Sequence, residues 1–314
     1  MRNALLLPLV CFWLALPVSG AEPRSPAEGA AEGLVLRFGL VADVQYADKP
    51  DQGKRHFRKS ADKFKAAVAD WGRQDLAFVV SLGDLIDGHG PASAGELRRV
   101  AGLFGPLAVP VRHVLGNHCL EVDRKTLLDV LGLKTAYYDF SHGDWRFVVL
   151  DGMDVSVKSP PGSDELARAR EYLAGNPKLP KYNGAICPKQ LAWLKERLSE
   201  AGRLGQKAIV LCHHPVLPES SSPANVLWNH KEVLAALTDS GCVVAYFCGH
   251  EHSGGYAVRS GIHHVTVPGM VESPDDSTGC AVVELRPDRL GIQGLGTVPS
   301  RVLKMKALDS RPSM

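Results

Sequence analysis

Val79-Val80-Ser81-Leu82-Gly83-Asp84-Leu85-Ile86-Asp87-Gly88 is the stretch on which the reading of this chain turns. A strand-like run meets a glycine, and a carboxylate follows at once, with a second carboxylate three residues on. The same form recurs along the chain. Leu40-Val41-Ala42 passes into Asp43-Val44-Gln45, and Val114-Leu115 into Gly116-Asn117-His118. Val210-Leu211-Cys212 passes into His213-His214-Pro215, and Tyr246-Phe247-Cys248 into Gly249-His250-Glu251-His252. Short apolar runs bounded by turn residues read as buried strands. In open α/β sheets ligands bind beyond the carboxyl ends of strands, so polar clusters at several such ends can converge on one site.

Working outward, strands are expected over 34–42, 77–82, 111–115, 145–150, 208–212 and 242–248. Phe57, Ala61, Phe64, Val68 and Trp71 recur at helical spacing and paint one helix face. Pro188 opens a second helix with Leu191, Leu194 and Leu198 on one side, and Asn229 caps a third over 230–238. From Tyr256 the pattern is β-rich, through 262–267, 280–285 and 290–293. Strand–helix alternation followed by a β tail predicts a layered α/β domain with more than one sheet. Residues 152–187, loaded with Pro, Gly, Ser and Lys, read as the longest irregular stretch.

The composition is that of an ordinary globular protein: 314 residues, 45% hydrophobic and 22% charged, which excludes disorder and fibrous repeats. Lys+Arg of 36 against Asp+Glu of 34 leaves +2, so neither nucleic acid nor an acidic membrane surface is implied as partner. Residues 1–21 carry a positive start, an apolar run over 4–18 and the small exit Ser19-Gly20-Ala21. That is the form of a secretory signal peptide, and the run is shorter than the ~20 residues a spanning helix needs. Cleavage after Gly20 or Ala21 is expected, with a secreted or periplasmic product and no membrane association afterwards. Residues 22–33 read as a linker and 34–308 as one domain. The cysteines show no scaffold spacing and receive no function.

The combined clusters offer Asp, Asn, His and, at Gln45, an amide. Oxygen plus imidazole ligands suit divalent manganese, iron or zinc. In extended backbone residues i and i+2 point the same way, so Asp43 with Gln45, and His250 with His252, are expected as pairs. Glycines before Asp84, Asn117 and His250 permit tight turns. His213 and His214 point oppositely if extended, so one of the two is expected in the site.

In this order the clusters resemble the calcineurin-like metallophosphoesterase superfamily, whose signature runs D-x-H, GD-x-x-D, GNH, H-x-P and GH-x-H. The resemblance narrows to the manganese-dependent ADP-ribose/CDP-alcohol diphosphatases through residues 38–48, Tyr182-Asn183-Gly184, 190–194, Trp228-Asn229, 249–256 and Val298-Pro299-Ser300-Arg301. It implies a layered αββα sandwich of two mixed β-sheets flanked by helices. It also implies two divalent ions about 3.5–4 Å apart, a pair that clamps phosphoryl transfer and acidifies a water. Asp84 would bridge them. Asp43, Gln45 and His252 would complete one site; Asn117, His213 and His250 would complete the other. His213 is favoured over His214 because the family's ligand stands two positions before the proline. His118 would stabilise or protonate the leaving oxygen, and Asp87 would orient His118 or fix its loop. By their own residue types, Asn183 and Gly184 at the end of the long loop either touch substrate or form a plain turn, and Tyr256 either stacks on a base or simply opens a strand.

Gln45 departs from the superfamily's histidine but not from the narrower group. It either supplies an amide oxygen to a metal or hydrogen-bonds a metal-bound water. As a neutral, weak donor it implies one loosely held ion and a preference for manganese, with iron or zinc as alternatives. The function implied is a secreted two-metal phosphohydrolase that cleaves the diphosphate linkage of ADP-ribose or CDP-alcohols to a nucleoside monophosphate. Alternatives are a broad phosphomonoesterase, a cyclic-nucleotide phosphodiesterase, or a non-catalytic binding module of the same fold. The basic run Lys54, Arg55, Arg58, Lys59, Lys63 and Lys65 reads as a solvated helix face, with polyphosphate steering as the other option. Trp193 reads as packing.

Overall fold

Along β1 (Leu36–Val41) successive side chains serve two different apolar layers, and that alternation sets the architecture. Leu36, Phe38 and Leu40 face a layer shared with the other sheet, whereas Val41 faces a layer shared with helices. The computed structural model describes residues 33–305. The expected signal peptide, the linker up to residue 32 and residues 306–314 lie outside the described residues.

The elements follow in the order β1, α1 (Phe57–Trp71), β2 (Phe78–Ser81), α2 (Ser93–Gly102), β3 (Val111–His113), α3 (Arg124–Leu131), β4 (Tyr138–His142), β5 (Trp145–Val149), α4 (Asp164–Gly175) and α5 (Pro188–Arg203). The second half continues with β6 (Lys207–Leu211), α6 (His230–Ser240), β7 (Val243–Cys248), β8 (Gly255–Arg259), β9 (Ile262–Thr266), β10 (Gly279–Leu285), β11 (Arg289–Gly296) and β12 (Arg301–Lys304). One sheet has the order β12-β11-β10-β1-β2-β3 and the other β4-β5-β6-β7-β9-β8. Both are mixed. β1, β2 and β3 run parallel while β10 pairs antiparallel with β1; β5, β6, β7 and β9 run parallel while β4 and β8 pair antiparallel at the edges.

The sheets pack face to face through an aromatic centre. Phe38 stacks on Phe78 at 5.1 Å and meets Phe147 and Phe247 edge-on at 5.8 and 6.4 Å. Trp71, Phe64, Leu97 and Leu127 from α1, α2 and α3 cover the outer face of the first sheet. Leu194, Leu198, Val233 and Leu237 from α5 and α6 cover that of the second. The result is the αββα sandwich.

The stretch 152–187 is not irregular throughout. It contains α4, begun by Ser163, whose side chain accepts from Leu166 N at 3.1 Å, with Asp164 and Glu165 in the first turn. Among the described residues no helix is long and apolar enough to cross a membrane.

Candidate metal centre

Parallel pairing brings strand ends together. β1 and β2 are in register from Phe38↔Phe78 to Val41↔Ser81, so the chain leaves both at the same level. Backbone bonds continue the pairing past the strands: Gln45 N donates to Asp84 O at 2.8 Å and Tyr46 N to Leu85 O at 3.0 Å. In the other sheet Gly249 N donates to His213 O at 3.0 Å, holding the ends of β6 and β7 side by side. Four loops therefore deliver Asp43, Asp84, His213 and His250 to one place.

The expected i, i+2 pairing in extended backbone is not how these residues meet. Asp43, Gln45, Asp84 and His250 have φ of 51°, 42°, 48° and 68°. Such values are uncommon without glycine and cost about 1–3 kcal/mol each, so the surrounding packing must enforce them. The glycines also act differently from the turn role expected. Only Gly83, at φ 101°, is left-handed. Gly116 and Gly249 supply room instead: a Cβ on Gly116 would lie 2.1 Å from Asp84 Oδ1, and one on Gly249 2.5 Å from Asp43 Oδ2.

Asp84 sits at the middle, fully buried. Its Oδ2 is 3.1 Å from His213 Nε2 and 3.5 Å from Gln45 Nε2, and its Oδ1 accepts from the His118 backbone at 2.9 Å. His213 Nε2 is also 3.1 Å from Asn117 Oδ1 and 3.9 Å from Asp43 Oδ1. Asp43 Oδ1 lies 3.4 Å from His252 Nε2. His214 is buried with neither ring nitrogen hydrogen-bonded and lies 4.3 Å, centroid to centroid, from His250. His213, not His214, joins the carboxylates.

Two of the imidazoles are turned from behind. His213 Nδ1 donates to Leu82 O at 2.8 Å, and His252 Nδ1 meets Glu272 Oε1 at 2.8 Å, so both aim Nε2 inward. Glu272 is a site residue that no sequence motif announces. Burial opposes charge on His213, but Asp84 and Asp43 prevail and push it up to about 9. Burial likewise opposes charge on His252, which Asp43 and Glu272 push up to about 10. Burial, with His214 and His213 alongside, drives His250 well below the usual imidazole value.

The donors fit divalent ions. Gln45 Oε1 and Asp43 Oδ1 are buried side-chain oxygens without a hydrogen bond, a costly state unless something else is bound there. Asp84, His213 and His250 each offer a ligand atom within 4.8 Å of the others. Hard oxygens mixed with imidazole are the chemistry of manganese, iron and zinc.

A cavity of ≈ 540 Å³ opens on this centre, lined by Gln45, Asn117, His118, His250 and His252 with Arg55 and Lys158. His118 Nδ1 donates to the Asp87 backbone carbonyl, which leaves Nε2 to hold or release a proton. The Asp87 carboxylate turns to Lys49 and lies 3.9 Å from Arg55. The basic run is divided: Arg55 faces the cavity, Lys63 is buried on Ser273 O, and Arg58, Lys59 and Lys65 are exposed in surface ion pairs.

Of the residues expected at the substrate, Asn183, Gly184 and Tyr256, none lines this cavity. Asn183 is behind His250, its Oδ1 2.9 Å from Nε2, and borders a separate outer cavity. Gly184 is packed so closely that a Cβ would lie 2.5 Å from Gly152 O. Tyr256 opens β8, with its hydroxyl 2.9 Å from His263 Nδ1 and its ring beneath Arg301 at 4.7 Å, and does not line the metal cavity. Trp193 packs on the second sheet's helical layer, 4.9 Å from the Tyr137 ring.

The family model described as calcineurin-like phosphoesterase matches residues 36–254. The chain belongs to that family. It is similar to the manganese-dependent ADP-ribose/CDP-alcohol diphosphatases of rice (36% identical, covering 83% of this chain and 91% of the relative) and cattle (31%, covering 91% and 98%). Among solved structures it is similar to a dimetal phosphatase from Danio rerio, with TM-score 0.81 and 31% identity over 87% of this chain and all of that one. The matched residues of this calcineurin-like phosphoesterase include every strand-end cluster of the centre, from Asp43 to His252.

Proposed function

We propose that this calcineurin-like phosphoesterase is a manganese-dependent two-metal diphosphatase that cleaves ADP-ribose or CDP-alcohols to a nucleoside monophosphate. The likeness to diphosphatases of that name over nearly the full length carries the reading. In the proposed ligand set Asp84 would serve both ions, Asp43, Gln45 and His252 would hold one, and Asn117, His213 and His250 would hold the other. Ions bound there polarise phosphoryl oxygens and lower the pKa of water. The chain's own groups supply the rest. His118 exchanges a proton with the leaving oxygen through Nε2. Arg55 and Lys158 line the cavity and offer cations to the second phosphoryl group, Lys158 being steadied by Asn117 O at 3.1 Å and Glu121 Oε1 at 2.6 Å. A volume of ≈ 540 Å³ is in the range for a whole nucleotide rather than a bare phosphate.

With Mn²⁺ supplied, ADP-ribose or CDP-choline is expected to show kcat/KM about tenfold or more above p-nitrophenyl phosphate and mononucleotides, releasing AMP or CMP. Faster turnover of monoesters, or turnover of cyclic nucleotides alone, would overturn the substrate assignment and leave the metal set standing.

The domain over 34–308 is, in the same proposal, exported: the leader-like residues 1–21 support secretion or a periplasmic location. Terminal sequencing of the exported protein should begin at Ala21 or Glu22. Recovery of an intact Met1 would refute export with cleavage.

A further inference from the structure

Asn183 is 1% exposed and makes every hydrogen bond its amide nitrogen can donate: to Ala224 O at 2.7 Å and to Val226 O at 3.0 Å. Carbonyls only accept, so the orientation of this amide is fixed, with nitrogen toward the 224–226 loop and Oδ1 toward His250. An amide oxygen also only accepts, and it lies 2.9 Å from His250 Nε2. That nitrogen must therefore carry the hydrogen. In a neutral imidazole the lone pair then belongs to Nδ1.

We propose that Asn183 is a positioning residue that holds His250 as its Nε2–H tautomer and commits Nδ1 to the metal. The inference rests on the ligand set proposed above. His213 and His252 are held the opposite way, through Nδ1 by Leu82 O and Glu272, and present Nε2. The difference follows from the backbone. His250, at φ 68°, brings its own N–H to 3.0 Å from Asp43 Oδ2, so its main chain already stands at the centre. With Nε2 engaged by Asn183, the ring nitrogen that remains for a ligand is Nδ1. Asn183 also has no donor left for a phosphate, which argues against a direct substrate contact.

The test is titration of the metal-free mature chain with Mn²⁺, reading the affinity of each ion by calorimetry and electron paramagnetic resonance. Asn183→Leu should weaken one of the two ions by about 10–100-fold, the usual loss for a group that orients a ligand. Asn183→Asp also loses both bonds to the loop carbonyls but keeps an acceptor for Nε2–H, so it should retain affinity closer to the parent. Equal losses in both variants would mean a purely structural role and would overturn the proposal. Unchanged affinities with a raised KM alone would make Asn183 a substrate contact, and would also overturn it. His250→Ala binding two ions at parental affinity would instead overturn the ligand set itself. Nitrogen-15 NMR of the unmutated chain gives a readout that needs no variant to fold: His250 protonated at Nε2 supports the proposal, and protonation at Nδ1 refutes it.

Discussion

Gly116 shows how strictly the centre is packed. A methyl group there would lie 2.1 Å from Asp84 Oδ1 and 2.5 Å from Asp84 N, and neither the side chain nor the backbone of a residue at φ 48° can retreat easily. Gly116→Ala is therefore expected to displace the proposed bridging carboxylate, losing most bound Mn²⁺ on dialysis and lowering kcat/KM by about 10²-fold, as misplacement near 1 Å does. Metal analysis and steady-state kinetics check this, and parental values for both would contradict it. The ligand-type side chains were legible in the sequence because Asp, Asn and His are chemically conspicuous after apolar strands. The glycine's purpose was not, since a turn and a close approach look alike in one dimension. Glu272 was illegible for another reason. It reaches His252 only because Met270 N and Val271 N bond to Ala42 O and Asp43 O, contacts more than two hundred residues apart in the chain.

Among the elements, the central strands were the easiest to read. β1, β2, β5, β6 and β7 are buried on both faces, so their sequences are nearly continuous apolar runs. The amphipathic α1 and α5 followed from spacing alone. The elements without a strong signal are those with little to bury. α4 buries only Ala169, β4 has no buried residue, and β12 is a four-residue edge strand. α3 does carry local punctuation, in the Asp123 cap on Thr126 N at 2.9 Å and the left-handed Gly132. It buries just Leu127 and Leu131, too few for a helical period to stand out. Arg55 illustrates the same limit: it stands two residues before α1, and only the folded chain distinguishes a cavity wall from a solvated face.

At the scale of the whole molecule, the two sheets meet in a centre whose charges make metal loading a proton exchange. In the metal-free protein Asp84 and Asp43 hold His213 up to about 9, and Asp43 and Glu272 hold His252 up to about 10, against an ordinary imidazole value of 6.5. Both rings are then protonated at pH 7, while a metal ligand must be neutral. Binding of Mn²⁺ must expel those protons, so its apparent affinity should rise as pH climbs from 6 through about 9 and level off only above about 10. The sign for stability follows from the same raised values. Each imidazolium–carboxylate contact stabilises the metal-free fold fully below 6.5, and that contribution is lost as pH passes through about 9 and about 10. Metal-free protein should therefore lose thermal stability between neutral and alkaline pH, whereas Mn²⁺-loaded protein, whose histidines are already neutral, should not lose this part. Calorimetry at pH 7 in buffers of different ionisation enthalpy counts the protons released. A release near zero, with an affinity flat in pH, would mean that the carboxylates do not hold these histidines charged.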